Sequence, residues 1–539
     1  MGSSRSWSGL LVVCVACAPT IGDDSDKSAT DSSGTTDGLP DDTDTDSADP
    51  GDDTTPCGLD VALDQVFFTE GDTVSFTVAC TDGPIEDGAV SVAGAGTGAT
   101  FNPDTGVFHW ETDGQSGGRY DLTIGAAGGG RLESVVVPIW VADSPSAPNA
   151  RDPRPLTYTE EWGLPVVHVE VGGTMTEAEQ DATITVRDQQ VEGFAKIRGA
   201  SSTSYPKVSY TLDFESDELG VTEWGERTRE HMVLITTFDD NSYVRQKLGY
   251  DLWAAMAEHQ GVERLTPRTF FAVLYINGTY QGIYTACDRI DDEFLRHMGT
   301  SGEGSLYKSV SHDANFYLHD ASGRTKSWLG AGYEKKEGDP DNWDDLYALV
   351  QHTGESDDDT LWNDHPGMDL TEFADWMLWA QFALVQDSAG KNAYLYADPD
   401  AERWRFAPWD LNESFGQNWY TLRLSATQRN DYYWNNRVFR MLQEHPEARE
   451  LVIDRFTDLR EDGPLQPAVL HSMIDDYLAI LGPNIDRDWA RWESEYQSFG
   501  RWAGDRNARG DWTTPAEEVA YIRAWIDDRM AMYDGAGPI

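Results

Sequence analysis

The chain has 539 residues, more than one ordinary domain holds and enough for two or three. Its 40 Lys+Arg stand against 94 Asp+Glu, a formal charge of −54, and a field of that sign excludes nucleic acid and anionic membrane surfaces as direct partners. With 20 Trp, 22 Tyr and 19 Phe, disorder over most of the length is excluded as well.

Residues 1–17 read as an export signal: Arg5 precedes a short apolar core, Gly9–Ala16, that ends in small residues. Cys14-Val15-Ala16-Cys17 resembles a bacterial lipobox with Cys17 as the lipidated residue, although Cys14 stands where Leu is usual. The mature protein is therefore expected outside the cytoplasm, lipid-anchored at the bacterial surface or secreted. Its contact with a membrane is expected only through that anchor. Residues 18–56 form an acidic, self-repelling linker; its twelve Asp and one Lys carry only eleven of the negative charges, so the folded part is acidic in its own right. Asp42, Asp44, Asp46 and Asp53 imitate part of a calcium loop, but Ser47 occupies the turn-glycine position and no helices flank it, so a charged spacer is the better reading.

Residues 57–145 change to short β runs: 64–69, 73–80, 106–111, 120–124 and 132–141, separated by turn residues at the spacing of a small β-sandwich. Cys57 and Cys80 flank a predicted hairpin and are candidates for a disulfide in an oxidising compartment. Gly94, Gly96 and Gly98 lack a following GK[ST] and read as a turn rather than a phosphate loop. The stretches Thr100–Trp110 and Gly118–Leu122 resemble cadherin-like or Ig-like modules of bacterial surface proteins.

A linker, 144–155, precedes a domain over 155–536 in which strands come first and helices later, an α+β order. Two apolar runs, 270–276 and 279–286, flank Asn277-Gly278, a strong hairpin signal. Asp369 and Glu372 form a capping box for a helix to Gln386 that aligns Phe373, Trp376, Met377 and Ala380 on one face. After about residue 433 three helices follow, 446–459, 467–481 and 515–533, each opening on Pro. Cys287 sits in an apolar strand and reads as a buried small hydrophobe.

The chemistry is concentrated after the helix at Asp369. Asp387, then Asn392, a hairpin of strands 393–396 and 403–406, and then Asp410 follow in the order phosphoryl transfer uses. One Asp receives the hydroxyl proton, an Asn and a second Asp hold divalent metal. Cations to grip phosphates are scarce, yet Lys196, Arg198 and Lys207 fall within twelve residues, the first two on one strand face. There is no HExxH and no GxSxG, so zinc-protease and α/β-hydrolase chemistry lack their residues. His312 and His319 read as isolated polar or core histidines. Asp339, Asp341, Asp344 and Asp345 read as helix-capping acids, and 357–359 as a solvated loop.

Lys196–Ser202, Pro206-Lys207, Tyr210, Met232–Leu234, Asp240–Arg245, Tyr275–Tyr284, Leu306–Lys308, Asp387–Asn392 and Trp409–Gly416 together resemble successive blocks of the CotH (spore coat protein H) kinase-like family. The similarity is collinear from about Leu164 to Asp534. It implies an atypical protein-kinase-like fold without the usual Gly-rich loop, using ATP with Mg or Mn to phosphorylate Ser or Thr of a protein substrate. Carried over, Asp387 is the base, Asn392 and Asp410 are metal ligands, and Lys207, Arg198 and Lys196 are the candidates for ATP phosphates. Asn412 stands where the family has Asp; its amide oxygen can ligate a metal but brings no charge. Asp288 stands where Glu is frequent and is the candidate ion-pair partner of a lysine. The alternative implied by these two departures is a kinase-like surface binding or structural protein with little or no turnover.

Overall fold

The computed structural model describes residues 58–63, 65–80, 90–114, 116–128, 131–142, 159–187, 189–214, 219–225, 228–429 and 435–538. The signal, Cys17, the acidic linker and Cys57 lie outside the described residues. The chain divides into two compact units, one of Met1–Val66, Thr73–Glu111 and Tyr120–Pro138, the other of Phe67–Asp72, Thr112–Arg119 and Ile139–Ile539.

The N-terminal strands are β1 (Leu59–Ala62), β2 (Phe67–Thr69), β3 (Thr73–Cys80), β4 (Val90–Ala93), β5 (Thr100–Asn102), β6 (Val107–Glu111), β7 (Gly118–Gly128) and β8 (Arg131–Ala142). They form two four-stranded sheets of order β1-β3-β6-β5 and β2-β8-β7-β4. Strict alternation drives this: Val74, Phe76 and Val78 are buried on β3 while their neighbours face solvent, and Phe76 stacks on Phe108 of β6 at 4.6 Å. Cys80 is in a disulfide.

Next along the chain come β9 (Glu160–Glu161), β10 (Leu164–Val171), β11 (Gln180–Val186), β12 (Gln189–Arg198), β13 (Ser209–Phe214), β14 (His231–Thr236), β15 (Thr269–Ile276) and β16 (Thr279–Cys287). They run β11-β12-β13-β14-β16-β15-β10-β9, and β10 also pairs with β11, so the sheet closes into a barrel. Closure removes the edges an open sheet would present. Inward residues, among them Val167, Ile184, Leu212, Leu234, Ala272 and Tyr284, fill the interior. Their neighbours on β14 to β16, such as Val233, Phe271, Val273 and Ile283, point outward into a second core shared with the helices. The expected hairpin forms: Asn277 and Gly278 take φ of 48° and 71° between the paired Ile276 and Thr279.

Helix α1 (Arg245–His259) lies between β14 and β15, and α2 (Asp292–His297) follows β16. A second sheet, β18-β17-β19-β20, is made of β17 (Ser305–Ser309), β18 (Tyr333–Glu337), β19 (Ala393–Asp398) and β20 (Arg403–Pro408). Between its halves lie α3 (Asp344–Glu355), α4 (Asp358–Asn363) and α5 (Leu370–Phe382); after it come α6 (Arg437–Glu444), α7 (Pro446–Glu461), α8 (Pro467–Leu481), α9 (Asn484–Ser498), α10 (Ala503–Arg509) and α11 (Pro515–Ala536). Two expectations change. The stretch 357–359 is no loop: Asp357 caps α4 by accepting the Thr360 N–H at 2.8 Å. Helix α5 is buried all round except at Thr371, and it ends at Phe382, because Leu384 takes a left-handed φ of 53° that no α-helix continues.

Lys207 also departs from expectation. It is buried, donating to Asp488 Oδ1 at 2.7 Å and Thr237 Oγ1 at 2.8 Å, with its ammonium 5.1 Å from the Tyr284 ring. Burial pulls its pKa down and Asp488 pulls it back up. An ammonium so enclosed does not reach a phosphate; it joins the barrel to α9. Removing one partner of a buried pair strands the other charge, so Lys207→Met should lose about 3 kcal/mol, read as a lowered midpoint of chemical denaturation.

Candidate active site

A cleft of about 970 Å³ opens between the outer face of β12–β14 and the sheet β17–β20. Strand alternation sets its first wall: Phe194, Lys196 and Arg198 on β12 and Ser209, Thr211 and Asp213 on β13 face outward, while the intervening residues turn into the barrel or its rim. The opposite wall carries Lys308, His312, Asp387, Lys391, Asn392, Tyr394, Trp409, Asp410, Asn412 and Glu413.

Each acidic residue is placed by a specific backbone device. Asp387 lies in a 3-10 turn, Gln386–Ala389, fastened by Trp376, whose ring N–H donates to Ser388 O at 3.0 Å. Asn392 has φ of 53° and donates its N–H to Ser309 O at 3.2 Å; Asp410 has φ of 62° as the chain leaves β20. Side-chain-bearing residues seldom take this conformation, and its concentration here marks a geometry held by the surrounding fold.

Asp387 is clamped. His312 Nε2 lies 3.2 Å from its Oδ1, and Lys391 binds its Oδ2. Burial works against its charge, but these two partners outweigh burial and hold its pKa below the usual carboxylate range. The other acids move the opposite way. Burial, with Asp387 and Asp410 nearby, pushes Glu413 up to about 9. Burial and Asp410 push Asp239 up to about 7, although Tyr205 OH donates to its Oδ2 at 3.0 Å and Asn412 Nδ2 at 2.6 Å. Asp410 opens into the cleft and solvent reaches it there. The protein around it still raises its pKa, against the pull of Lys308 and Arg198.

Two cations face this cluster across aromatic rings. Arg198 lies 5.1 Å over the Trp409 ring, and Lys308 lies 5.8 Å from the rings of both Tyr394 and Trp409. Burial and the charge of Arg198 lower Lys308 to about 8.

The structure therefore brings Asp387, Asn392, Asp410, Asn412, Arg198 and Lys196 to one cleft, with Lys196 held at its rim by Glu179 at 2.6 Å. It leaves out Lys207 and Asp288. Asp288 is buried against an arginine rather than a lysine, accepting from Arg229 Nε at 2.9 Å and from the Arg268 N–H at 2.9 Å. The sequence reading missed Asp239, Lys308, His312, Lys391 and Glu413 as site residues. Lys308 and Glu413 lay within recognised blocks but had no spacing rule to single them out. His312, read as an isolated histidine, gained its partner only through the fold.

Residues 195–533 match the family described as CotH kinase protein, and the chain belongs to that family. It is similar to the inner spore coat protein H of Bacillus subtilis (strain 168), with 24% identity over 267 residues that cover 49% of this chain and 70% of the relative. Among the described residues no helix is long and apolar enough to cross a membrane.

An acid whose folded pKa exceeds its unfolded value holds an extra proton in the folded state, so stability falls as pH rises between the two values. For Glu413 that window runs from 4.5 to about 9. In chelator-treated protein, urea midpoints should decline across it, and Glu413→Gln should flatten the decline and stabilise the alkaline end.

Proposed function

We propose that the chain is an exported, lipid-anchored atypical kinase that transfers the terminal phosphate of ATP to Ser or Thr hydroxyls of a protein, with Mg2+ or Mn2+. The observation that carries this reading is the meeting of Asp387, Asn392 and Asp410 in one cleft with Lys308 beside them and Arg198 on the facing wall. Export and anchoring rest on the lipobox-like Cys17 and its preceding apolar core. The β-rich N-terminal module would stand between tether and kinase domain as an Ig-like spacer or adhesion unit.

The residues fit the implied groups. The cleft volume lies within the range of ligand sites. Carboxylate and amide oxygens are the donors a hard divalent cation takes. Loss of water contact, with the neighbouring acids adding to it, pushes Asp239, Asp410 and Glu413 toward their protonated forms, a cost that a bound cation relieves. Asp410 and Asn392 would hold the metal, and Asn412 is oriented by Asp239. Bound metal neutralises the phosphates and polarises the group in transfer.

Arg198 and Lys308, braced on Trp409 and Tyr394, hold phosphate oxygens of the nucleotide. Asp387 accepts the hydroxyl proton as the acceptor oxygen bonds to phosphorus and the bond to the leaving nucleotide diphosphate breaks. His312 and Lys391 keep Asp387 ionised and fixed in direction. A base so pinned has reduced basicity, so its contribution is positional as much as protolytic.

The purified full-length chain with Mg2+ or Mn2+ should move labelled phosphate from ATP to protein. Asp387→Ala should slow transfer by about 10²–10⁴-fold, and Asp410→Ala should abolish it. Undiminished labelling in both variants would overturn the assignment. An ATP-dependent thermal shift without any transfer would make the chain a nucleotide-binding surface protein instead.

A further inference from the structure

A second polar cluster lies at the start of β14, where Glu230, His231 and Glu293 present ligand atoms all within 4.8 Å of one another. His231 Nδ1 faces Glu293 Oε2 at 3.8 Å and Asp291 Oδ2 at 3.3 Å. Asp291 is 4% exposed, and its Oδ2 has no hydrogen-bond partner, its Oδ1 being used to cap α2 at Phe294. His231 Nδ1 is likewise buried without a hydrogen-bond partner. With its ring proton on Nε2, toward Asp213, a neutral His231 leaves its Nδ1 lone pair facing carboxylate oxygens, a repulsion that a cation between them removes. Protonation of the ring is the competing arrangement: burial lowers the pKa of His231, but Glu293, Asp291 and Asp213 raise it above the usual histidine value.

The other ring nitrogen supplies an independent reason. His231 Nε2 lies 3.4 Å from Asp213 Oδ2, its cross-strand partner on β13. A carboxylate behind one nitrogen, with the other nitrogen aimed at a group of carboxylates, is the arrangement that orients and strengthens a histidine ligand. The positive charges in reach are modest: Arg289 Nε stands 3.5 Å from Asp291 Oδ2, His297 Nε2 stands 3.8 Å from Glu293 Oε1, and Arg296 acts on Glu230 and Glu293 while paired with Asp292 at 2.7 Å. They do not neutralise Asp213, Glu230, Asp291 and Glu293 together. Both oxygens of Glu293 accept the Glu230 N–H at 3.0 Å, which sets the carboxylate's direction while leaving lone pairs available.

We propose that His231 Nδ1, Glu293 and Asp291, with Glu230 as the fourth donor, form a site for a borderline divalent cation of the zinc class, distinct from the nucleotide cleft and clamping β14 to α2. Metal–ligand bonds of about 2.0–2.2 Å in a tetrahedron place ligand atoms about 3.3–3.6 Å apart; His231 Nδ1 lies 3.3 Å from Asp291 and 3.8 Å from Glu293, and Glu230, within 4.8 Å of His231 and Glu293, would draw in on binding. One imidazole with carboxylates suits zinc better than magnesium, which takes oxygen donors and keeps its waters. Asp213 also lines the nucleotide cleft, so the clamp stiffens one cleft wall from behind.

The test uses chelator-dialysed full-length chain and zinc chloride, followed by calorimetry in an Asp410→Asn background that disables the cleft metal site. One zinc equivalent should bind. His231→Ala and Glu293→Gln should each abolish it, and Asp213→Asn should weaken it by about 10–100-fold. X-ray absorption at the zinc edge of the unsubstituted chain, loaded with one equivalent, should show one imidazole among oxygen ligands, a readout independent of whether the variants fold. Failure to retain zinc, or an oxygen-only shell, overturns the proposal. Zinc bound equally well without His231 also overturns it, leaving imidazolium–carboxylate pairing as the role of the cluster.

Discussion

The carboxylate of Asp488 on α9 is the point on which the domain turns. It accepts from Lys207 and from the Ile283 N–H at 2.7 Å each, and from Tyr243 OH at 2.9 Å. Those donors come from the β12–β13 connection, from β16 and from the approach to α1. One buried charge thus ties the barrel to helices some 281 residues away in sequence. Three donors satisfy most of its acceptor capacity, which is the condition under which a buried pair repays its desolvation. Gly282 completes the fit: its φ of 102° and the closeness of Asp488 leave no room for a Cβ.

With the barrel fixed, the cleft becomes an electrostatic contrast. One acid, Asp387, is held ionised by His312 and Lys391, while Asp239 and Glu413 are driven the other way by burial and by the neighbouring acids, and the solvent-reached Asp410 is also raised. Pairs of groups with opposed shifts are the usual mark of divided chemical roles. In a chain of charge −54, the cations that matter are those the fold insulates. Arg198 and Lys308 are half-buried against the rings of Trp409 and Tyr394 and so retain influence that fully exposed lysines lose to solvent.

Much of this was legible in the residues. The Asn277-Gly278 hairpin, the strands around Arg198, the late helices and the order Asp387, Asn392, Asp410 all follow from local rules: turn chemistry, period-two alternation, proline at helix starts. The misreadings share one cause. Lys207 and Arg198 look alike in sequence, each a cation beside a strand. The barrel turns one inward against Asp488 and the other outward over Trp409. Asp288 met Arg229 rather than a lysine for the same reason, and His312 became a partner of Asp387 across a gap of 75 positions.

The sequence by itself determined the family, whose match spans residues 195–533, and it holds Asp387, Asn392 and Asp410 in the order the proposed phosphoryl transfer needs. It also determined the local elements that carry them, since helix caps and strand alternation depend on near neighbours. Only the tertiary structure decided which cations face the acids and which are spent inside the protein. It alone closed the sheet into a barrel and set which carboxylates crowd together. Those outcomes depend on contacts between residues far apart in the chain, where burial and charge pairing, rather than local propensity, fix the balance.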